Sequence, residues 1–436
     1  MTGSRVRIIG AGLAGCEVAW QLARAGLEVE LWEQKPLQRT PAQSNDGLAE
    51  LVCSNSLRSD QLGNAVGLLK QELRLCRSGL MQCADHSRVP AGSALAVDRR
   101  QFSDQVESLL GSCPSLQIQR GVFTHLPDDG VATVLATGPL TQGPLAAQLA
   151  ELTGGDALHF YDAIAPILET EGIDRSIVFA QSRYDRGDPE DYLNVPLDEE
   201  AYHLFVHALC AAPKVTPRDF EDSACFEGCL PVEVMAARGP LVLAFGPMKP
   251  VGLVDPRTGR RPFAAVQLRK EDPAGTARNM VGFQTRLTWP AQRELFSGLP
   301  GLAGVRFQRL GSMHRNSFLD APRVLDDALR LHASPHPWVA GQLAGSEGYV
   351  EAIAVGMLVA RSVLDHVADR SFLPPPPTTA LGGLYRHLRD SSKPFGPSNV
   401  TWSMIQVETG GRGRGERRTR AAEHALTQVT TWRGQE

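Results

Sequence analysis

The chain has 436 residues, of which 42% are hydrophobic and 21% charged, enough for a large core and for two domains or one domain with an insertion. Its net charge of -4 excludes a protein that is basic overall, so nucleic acid would have to bind at a local basic patch. There is no apolar run of about eighteen residues, and a strand pattern starts almost at the N-terminus. We therefore expect no membrane span, no signal peptide and a cytoplasmic location.

The first 33 residues predict a strand, a glycine-rich turn, a helix and a second strand. Free N–H groups at the start of the helix would face a pyrophosphate, and Glu33 at the end of the second strand can accept hydrogen bonds from a ribose. Because an acid at that point disfavours a 2′-phosphate, the pattern favours FAD or NAD over NADP as the tightly held nucleotide. The turn reads G-x-G-x-x-G and consists of Gly10, Ala11, Gly12, Leu13, Ala14 and Gly15.

Two later segments favour FAD over NAD. Residues 131–140 read as an apolar strand that ends at Ala-Thr-Gly, with Gly138 at the turn. Residues 338–363 read as a short strand, a glycine-rich loop and a long helix of small residues, whose N-terminus would point at a phosphate or at the flavin. The loop supplies the candidate cofactor contacts Gly341, Gln342, Glu347, Gly348 and Tyr349.

These patterns predict an α/β fold, with a Rossmann-like FAD-binding domain of the glutathione-reductase type and an inserted α+β domain. We expect residues 1–185 and 305–436 to form the discontinuous FAD-binding domain and residues 186–304 to form the insertion. Residues 405–436 are expected to be a basic, mobile tail that ends in a short helix. Within the insertion, residues 192–212 predict a helix, and residues 241–253 predict a strand followed by a loop.

Cysteines supply the candidate chemistry. In the cytoplasm the eight cysteines should be reduced, and no C-x-x-C pair or zinc-finger spacing occurs, so we expect no metal. Cys53 lies among serines and an asparagine in ELVCSNSLRS, with Arg58 nearby, and an arginine would lower a thiol pKa. A small buried structural cysteine is the alternative at this position. Cys225 and Cys229 lie four residues apart, but two ligands do not make a zinc site.

Long motifs in this sequence resemble those of the folate- and FAD-dependent tRNA (uracil-5-)-methyltransferases, the TrmFO family, which is related to the GidA flavoproteins. The resemblance covers residues 6 to about 402. The motifs that carry it are GAGLAG, ELVCSNSLRS, AVGLLKQE, VPAGSALAVDR, ATGPLT, FEGCLPVEVMA, FGPMKPVGL, AVQLR, VGFQT, MHRNSF and AGQLAGSEGYVE.

This resemblance implies methylation of a uridine at C5, at position 54 of the tRNA T-arm, to give ribothymidine. The carbon would come from 5,10-methylenetetrahydrofolate and the electrons from NADPH or NADH through FAD. Uracil C5 is a poor nucleophile, and a thiolate that adds at C6 activates it. By motif, we assign Cys229 to this addition and Cys53 to removal of the C5 proton or protection of the methylated flavin. The two roles could be exchanged.

The resemblance does not place a folate-binding residue, and the candidates are Arg58, Lys249, His314 and Arg315. One alternative is the larger relative that modifies the tRNA wobble uridine, which carries a long helical C-terminal region; we expect no such region here, because the sequence stops soon after Trp402. A second is a flavin oxidoreductase that acts on a small molecule, which the acidic net charge favours and the cysteine motifs disfavour. A third is an RNA-binding protein in which FAD is only structural.

Overall fold

The computed structural model describes residues 5–154, 158–185, 187–215, 230–392, 395–407 and 414–434. For residues 158–163, 313–315 and 414, only the backbone is described.

The helices and strands of this part of the chain have the following bounds. The strands are β1 (Arg5–Ile9), β2 (Glu28–Glu33), β3 (Ser56–Ser59), β4 (Arg88–Val89), β5 (Ala94–Val97), β6 (Leu116–Arg120), β7 (Ala132–Leu135), β8 (Leu158–Ala163), β9 (Ile167–Glu169), β10 (Phe179–Ala180), β11 (Tyr192–Leu197), β12 (Ala264–Lys270), β13 (Ala277–Met280), β14 (Phe307–Arg309), β15 (Met313–Phe318) and β16 (Trp338–Val339). The helices are α1 (Leu13–Arg24), α2 (Ala65–Leu75), α3 (Gly79–His86), α4 (Arg99–Gly111), α5 (Gly143–Leu152), α6 (Glu199–Ala211), α7 (Val232–Ala237), α8 (Val242–Phe245), α9 (Trp289–Ser297), α10 (Ala321–Val324), α11 (Tyr349–Val367), α12 (Ala380–Arg389) and α13 (Arg414–Arg433).

A five-stranded parallel sheet organises the first domain. Its order is β16-β7-β1-β2-β6, with every neighbouring pair parallel. Helices cover both faces of such a sheet, which explains why β1 is a continuous apolar run with Val6, Ile8 and Ile9 buried. The carboxyl ends of the strands share one edge, where ligands of this architecture bind. The predicted α/β class and the Rossmann-like arrangement are confirmed.

Helices α1 and α11, from opposite ends of the chain, pack closely against each other beside this sheet. A Cβ at Gly356 of α11 would lie 2.6 Å from the carbonyl oxygen of Ala14 in α1. A Cβ at Gly15 would lie 1.9 Å from the carbonyl oxygen of Gly10, so the turn also needs glycine there for packing. The two ends of the chain are thereby brought to the same edge of the sheet.

A six-stranded sheet forms the second domain, in the order β10-β11-β12-β13-β9-β14, and its neighbouring pairs are antiparallel. Its core includes Val195, Val266, Leu268, Phe283 and Phe296. The sheet reaches beyond the expected insertion, residues 186–304, because β9 and β10 precede it and β14 follows it. Strands β8 and β15 pair as an antiparallel ribbon where the chain crosses from one domain to the other.

Two elements of this domain differ from their predictions. Residues 192–212 form strand β11 followed by helix α6, where the sequence predicted a single helix. Residues 242–245 form the short helix α8 rather than a strand. A short apolar run has no periodicity that distinguishes a helix from a strand. In the structure the helix buries Leu243 in the core of the second domain.

The C-terminal region also differs from the expected mobile tail with a short last helix. Helix α13 has 20 residues, and Ala422, Ala425, Val429 and Trp432 are buried along one face at helical spacing. The indole N–H of Trp432 donates a hydrogen bond to the carbonyl oxygen of Leu373 at 2.9 Å. The apolar stripe therefore fixes the helix to the first domain. No described helix combines the length and apolar character needed to cross a bilayer.

Candidate active site at the edge of the parallel sheet

A deep cleft opens at the carboxyl edge of the parallel sheet and contains about 1540 Å³ of empty space, including its mouth. It is bounded by the glycine turn, the end of β2, the turn after β7 and the start of α11. Among the predicted cofactor contacts, those that line it are Gly10, Ala11, Gly12, Leu13, Ala14, Glu33, Gly138, Gly341, Gln342, Gly348 and Tyr349. Gly15 and Glu347 are not part of the lining.

Glycines in the cleft wall leave room that no part of the described protein fills. A Cβ built on Gly12, Gly138 or Gly143 meets no atom within 4 Å. A Cβ on Gly10, by contrast, would lie 2.4 Å from the carbonyl oxygen of Ala136. Packing therefore explains Gly10 and Gly15, whereas the open space at Gly12 fits a pyrophosphate that approaches the backbone closely. The space beside the glycine turn therefore fits a dinucleotide.

The carboxylate of Glu33 is buried at the end of β2 and lines the cleft. One oxygen accepts a hydrogen bond from the Ala11 N–H at 3.3 Å, and the other accepts one from the Lys35 N–H at 2.9 Å. Each oxygen keeps a second lone pair, so the orientation is fixed while acceptor capacity for ribose hydroxyls remains. This arrangement suits the adenosine half of FAD.

Glu347 lies outside the cleft lining and contacts a residue that belongs to it. Its buried carboxylate accepts a hydrogen bond at 2.5 Å from the side-chain amide of Gln342, which lines the cleft. Its backbone N–H donates to the carbonyl oxygen of Ser398 at 3.1 Å, and its carbonyl oxygen accepts from the Asn399 amide at 2.5 Å. Glu347 therefore positions Gln342 and ties the cleft to the segment near residue 399.

Cys53 lies in a loop beside the cleft wall, directly after the lining residue Val52. The backbone N–H groups of Cys53 and Ser54 donate to the phenolic oxygen of Tyr349 at 2.6 and 3.1 Å. Burial raises the pKa of Tyr349, so the phenol keeps its proton for a further acceptor. Cys53 is half-buried and is held against the first residue of helix α11, at the cleft.

Arginines from both domains surround this loop. Arg99 donates to the carbonyl oxygens of Leu51 and Cys53 at 3.0 and 3.3 Å, and it forms an ion pair with Glu271 at 2.9 Å. Arg309 interacts electrostatically with Cys53, and burial together with the charge of Arg99 lowers its pKa. The loop that carries Cys53 is therefore fixed by one guanidinium and lies in the electrostatic field of a second.

Sequence reasoning assigned no role to these arginines. Arg269 donates to the Ser54 hydroxyl at 2.8 Å and to the Asn55 amide oxygen at 2.9 Å, so the second domain also holds the loop directly. Arg99 is the last residue of the motif VPAGSALAVDR, and Arg269 is the last residue of the motif AVQLR. The motifs were therefore visible, but their convergence on the Cys53 loop depends on the domain arrangement.

Two of the four proposed folate contacts, Arg58 and Lys249, are not part of the lining of this cleft. Arg58 pairs with the buried carboxylate of Glu351 and is not in the lining. The side chain of Lys249 is exposed on the second domain and also lies outside the lining. The side chains of His314 and Arg315 lie outside the described residues, although their backbone belongs to β15.

Cys225 and Cys229 also lie outside the described residues. The described part of the same motif begins at Leu230 and contains Glu233 in α7. The buried Glu233 carboxylate accepts hydrogen bonds from the Thr285 hydroxyl at 2.8 Å and from the Arg286 N–H at 2.9 Å. This acid therefore anchors the motif to the second domain. Within the described residues, no cluster of three His, Cys, Asp or Glu side chains could hold a metal.

A buried lysine supports the strand that follows Cys53 and makes stability depend on pH. Nζ of Lys70 donates to the carbonyl oxygens of Leu57 and Ser59 at 2.8 and 2.6 Å, and burial lowers its pKa to about 7. An unfolded lysine binds its proton up to about pH 10.4, so unfolding takes up a proton between the two values and stability rises with pH. Relative to Lys70→Met, the wild type should gain about 1.4 kcal/mol of unfolding free energy per pH unit in this window.

Urea unfolding of both proteins from about pH 6 to about pH 10 measures this difference. The exposed Lys249→Met is the matched control and should give a curve parallel to that of the wild type. Parallel curves for Lys70→Met and the wild type would contradict the lowered pKa of Lys70.

Known proteins match nearly the whole chain. Residues 5–371 match the family described as glucose inhibited division protein A. A protein of Anaeromyxobacter dehalogenans named methylenetetrahydrofolate–tRNA-(uracil-5-)-methyltransferase TrmFO is 57% identical over 99% of this chain and 96% of its own length. The protein of the same name from Geobacter sulfurreducens is 52% identical over 99% of each chain.

A solved structure matches the fold. Aquifex aeolicus GidA, in its form II crystal, superposes with a TM-score of 0.70 at 14% identity. The match covers 99% of this chain and 73% of that chain. At this identity, the similarity establishes a common fold.

Proposed function

This chain belongs to the glucose inhibited division protein A family and to the TrmFO methyltransferases, and from that premise we propose that it methylates tRNA uridine at C5 with methylenetetrahydrofolate as the carbon donor. The reaction takes place in the cytoplasm, at position 54 of the T-arm, and yields 5-methyluridine. The observation that carries the proposal is the placement of the Cys53 loop against the wall of a cleft that fits a dinucleotide.

FAD fits the cleft through the open space at Gly12, the oriented carboxylate of Glu33 and the amide of Gln342. When bound, FAD supplies to the transferred carbon the electrons that it takes from NADPH or NADH. The residues that would hold the cofactor are those of the glycine turn at one end of the chain and the start of helix α11 near the other.

Cys229 is the residue that we assign to addition at uracil C6. Its sulfur forms a bond to C6, the C5–C6 double bond becomes an enolate, and C5 then attacks the electrophilic carbon. After loss of the C5 proton the bond between the transferred carbon and its donor nitrogen breaks, a hydride equivalent from NADPH or NADH converts that carbon to a methyl group, and departure of the thiolate restores the double bond. The assignment rests on the motif FEGCLPVEVMA, whose Glu233 fixes the following turn to residues 285 and 286.

Cys53 is assigned to removal of the C5 proton or to protection of the flavin. Its main chain is fixed by Tyr349 and Arg99, and a cysteine thiolate can act as a base. Because C6 must reach one thiol and C5 must reach the cofactor, the target base has to leave its stack.

The experiment that tests this function supplies purified holoenzyme with unmodified tRNA transcript, NADPH and methylene-labelled methylenetetrahydrofolate. A parallel reaction contains labelled S-adenosylmethionine instead. Label in 5-methyluridine only in the folate reaction is the expected result. Oxidation of NADPH without labelled tRNA in either reaction would instead favour a flavin oxidoreductase that acts on a small molecule.

A further inference from the structure

We propose that a second, polar cleft binds a backbone phosphate of the tRNA, an inference that rests on the proposed function and adds a contact surface to it. This phosphate cleft lies between the end of helix α12 and the segment around residue 400, and it contains about 1470 Å³ of empty space including its mouth. Its polar lining includes Arg386 and the hydroxyls of Ser398, Thr401 and Ser403.

Arg386 is the cation of the phosphate cleft that is available to a ligand. Its side chain is exposed and, within the described part of the chain, makes no hydrogen bond or ion pair. Its neighbour Arg389 is already committed to Asp327, at 3.1 Å. The acid in the lining, Asp390, accepts hydrogen bonds from the Ser392 N–H at 3.0 Å and from the Ser392 hydroxyl at 2.5 Å. Among the described residues Arg386 forms no ion pair with this acid, so its guanidinium is free to contact an anion.

Hydroxyl donors complete the chemistry that a phosphodiester requires. The Thr401 and Ser403 hydroxyl oxygens lie 2.8 Å apart, so one proton is shared between them and the other is available to an acceptor. A guanidinium and hydroxyls are the usual partners of backbone phosphates in nucleic-acid complexes. His387 and Met404 also line the cleft, but the imidazole of His387 already contacts the carbonyl oxygen of Gly396 at 3.0 Å and the ring of Phe395, so the groups left for a ligand are mainly polar.

The phosphate cleft is joined to the nucleotide cleft by one short segment. Ser398 pairs with Ser346, and its carbonyl oxygen accepts the N–H of Glu347, the residue that positions Gln342. Trp402, between the two hydroxyl residues of the phosphate cleft, lies under the guanidinium of Arg418 at 5.6 Å. A second guanidinium, on helix α13, therefore lies beside the segment that lines the phosphate cleft.

Arg386 also lies in the last turn of α12, where a cation stabilises the helix dipole. Arg24 provides a matched control, because it is an exposed arginine in the last turn of α1. The N-terminus of α1 faces the nucleotide cleft, so Arg24 lies at the far end of that helix, about 18 Å away. Loss of the dipole interaction alone would affect both variants equally.

The test measures binding of unmodified tRNA transcript to full-length holoenzyme at several salt concentrations. Arg386→Gln should weaken binding about fivefold to tenfold at low salt and reduce the slope of log K against log salt by about one. In turnover assays the KM for tRNA should rise, with kcat and the KM values for methylenetetrahydrofolate and NADPH unchanged. Arg24→Gln should match the wild type in each measurement.

Equal tRNA binding by the two variants and the wild type would overturn the proposal. A raised KM for methylenetetrahydrofolate with unchanged tRNA binding would also overturn it, and would place a folate carboxylate in the phosphate cleft. Because tRNA binding is measured without turnover, the result is separate from the proposed reaction. A wild type that binds tRNA through Arg386 but transfers no carbon would contradict only the reaction.

Discussion

Cys229→Ala is expected to abolish formation of 5-methyluridine, by roughly 10⁴-fold or more, because covalent activation of uracil C5 requires a nucleophile at C6. The variant should keep its yellow flavin and its oxidation of NADPH, since both depend on the nucleotide cleft of the first domain. Labelled methylenetetrahydrofolate and tRNA transcript measure methylation, and visible absorbance measures the bound flavin.

A tRNA that carries 5-fluorouridine at the target position identifies the attacking thiol. Fluorine at C5 cannot leave as a proton, so the covalent complex between enzyme and tRNA should accumulate and be retained on a denaturing gel. We expect this complex with Cys53→Ala and with the neighbouring control Cys225→Ala, but not with Cys229→Ala. The reverse result, a complex with Cys229→Ala and none with Cys53→Ala, would exchange the roles of the two cysteines.

Gly12→Val is expected to remove FAD while leaving the fold intact. The new Cβ would meet no protein atom within 4 Å, so the cost to the apoprotein should not exceed the about 1 kcal/mol of a changed helix N-cap. The side chain would occupy the space where a pyrophosphate approaches the turn, so FAD affinity should fall at least about 100-fold. Flavin fluorescence titration measures this loss, and the Tm of the variant apoprotein should lie within a few degrees of the wild-type value, as an N-cap change of this size requires.

Gly63→Val is the matched control for this substitution. A Cβ at Gly63 also meets nothing within 4 Å, but Gly63 is outside the lining of the nucleotide cleft. This variant should bind FAD like the wild type. Gly15→Ala should instead lower the Tm of the apoprotein, because its Cβ would clash with the Gly10 carbonyl at 1.9 Å. Undiminished FAD affinity in Gly12→Val would contradict the placement of the pyrophosphate at this turn.

Local patterns were sufficient to predict the nucleotide-binding unit of the first domain. The glycine turn and Glu33 belong to one continuous strand–helix–strand unit, so their spacing in the sequence fixes their spacing in the fold. The same holds for the glycine loop before α11, whose left-handed residues Gly341, Gly345 and Gly348 need glycine for conformational reasons. The strands of these two units, β1, β2 and β16, belong to one parallel sheet.

The second domain was less predictable, because its strands pair across long sequence separations. Strands β9 and β14, which are neighbours at one end of its sheet, are three residues each and carry little pattern of their own. Their pairing brings residues 167–168 against residues 307–309, which no local periodicity indicates. Helix α13 is longer and better packed than predicted for a related reason. Its apolar face is buried against the first domain, a contact that its own sequence does not indicate.

By itself, the sequence determined the parallel nucleotide-binding unit, the family motifs and the two cysteines that the motifs single out. The tertiary structure alone decided what surrounds Cys53, because Tyr349, Arg99 and Arg269 reach that loop from three distant parts of the chain. The physical reason is that local geometry propagates along the backbone over a few residues. The charges and contacts around a thiol instead depend on how two separately folded cores are packed together.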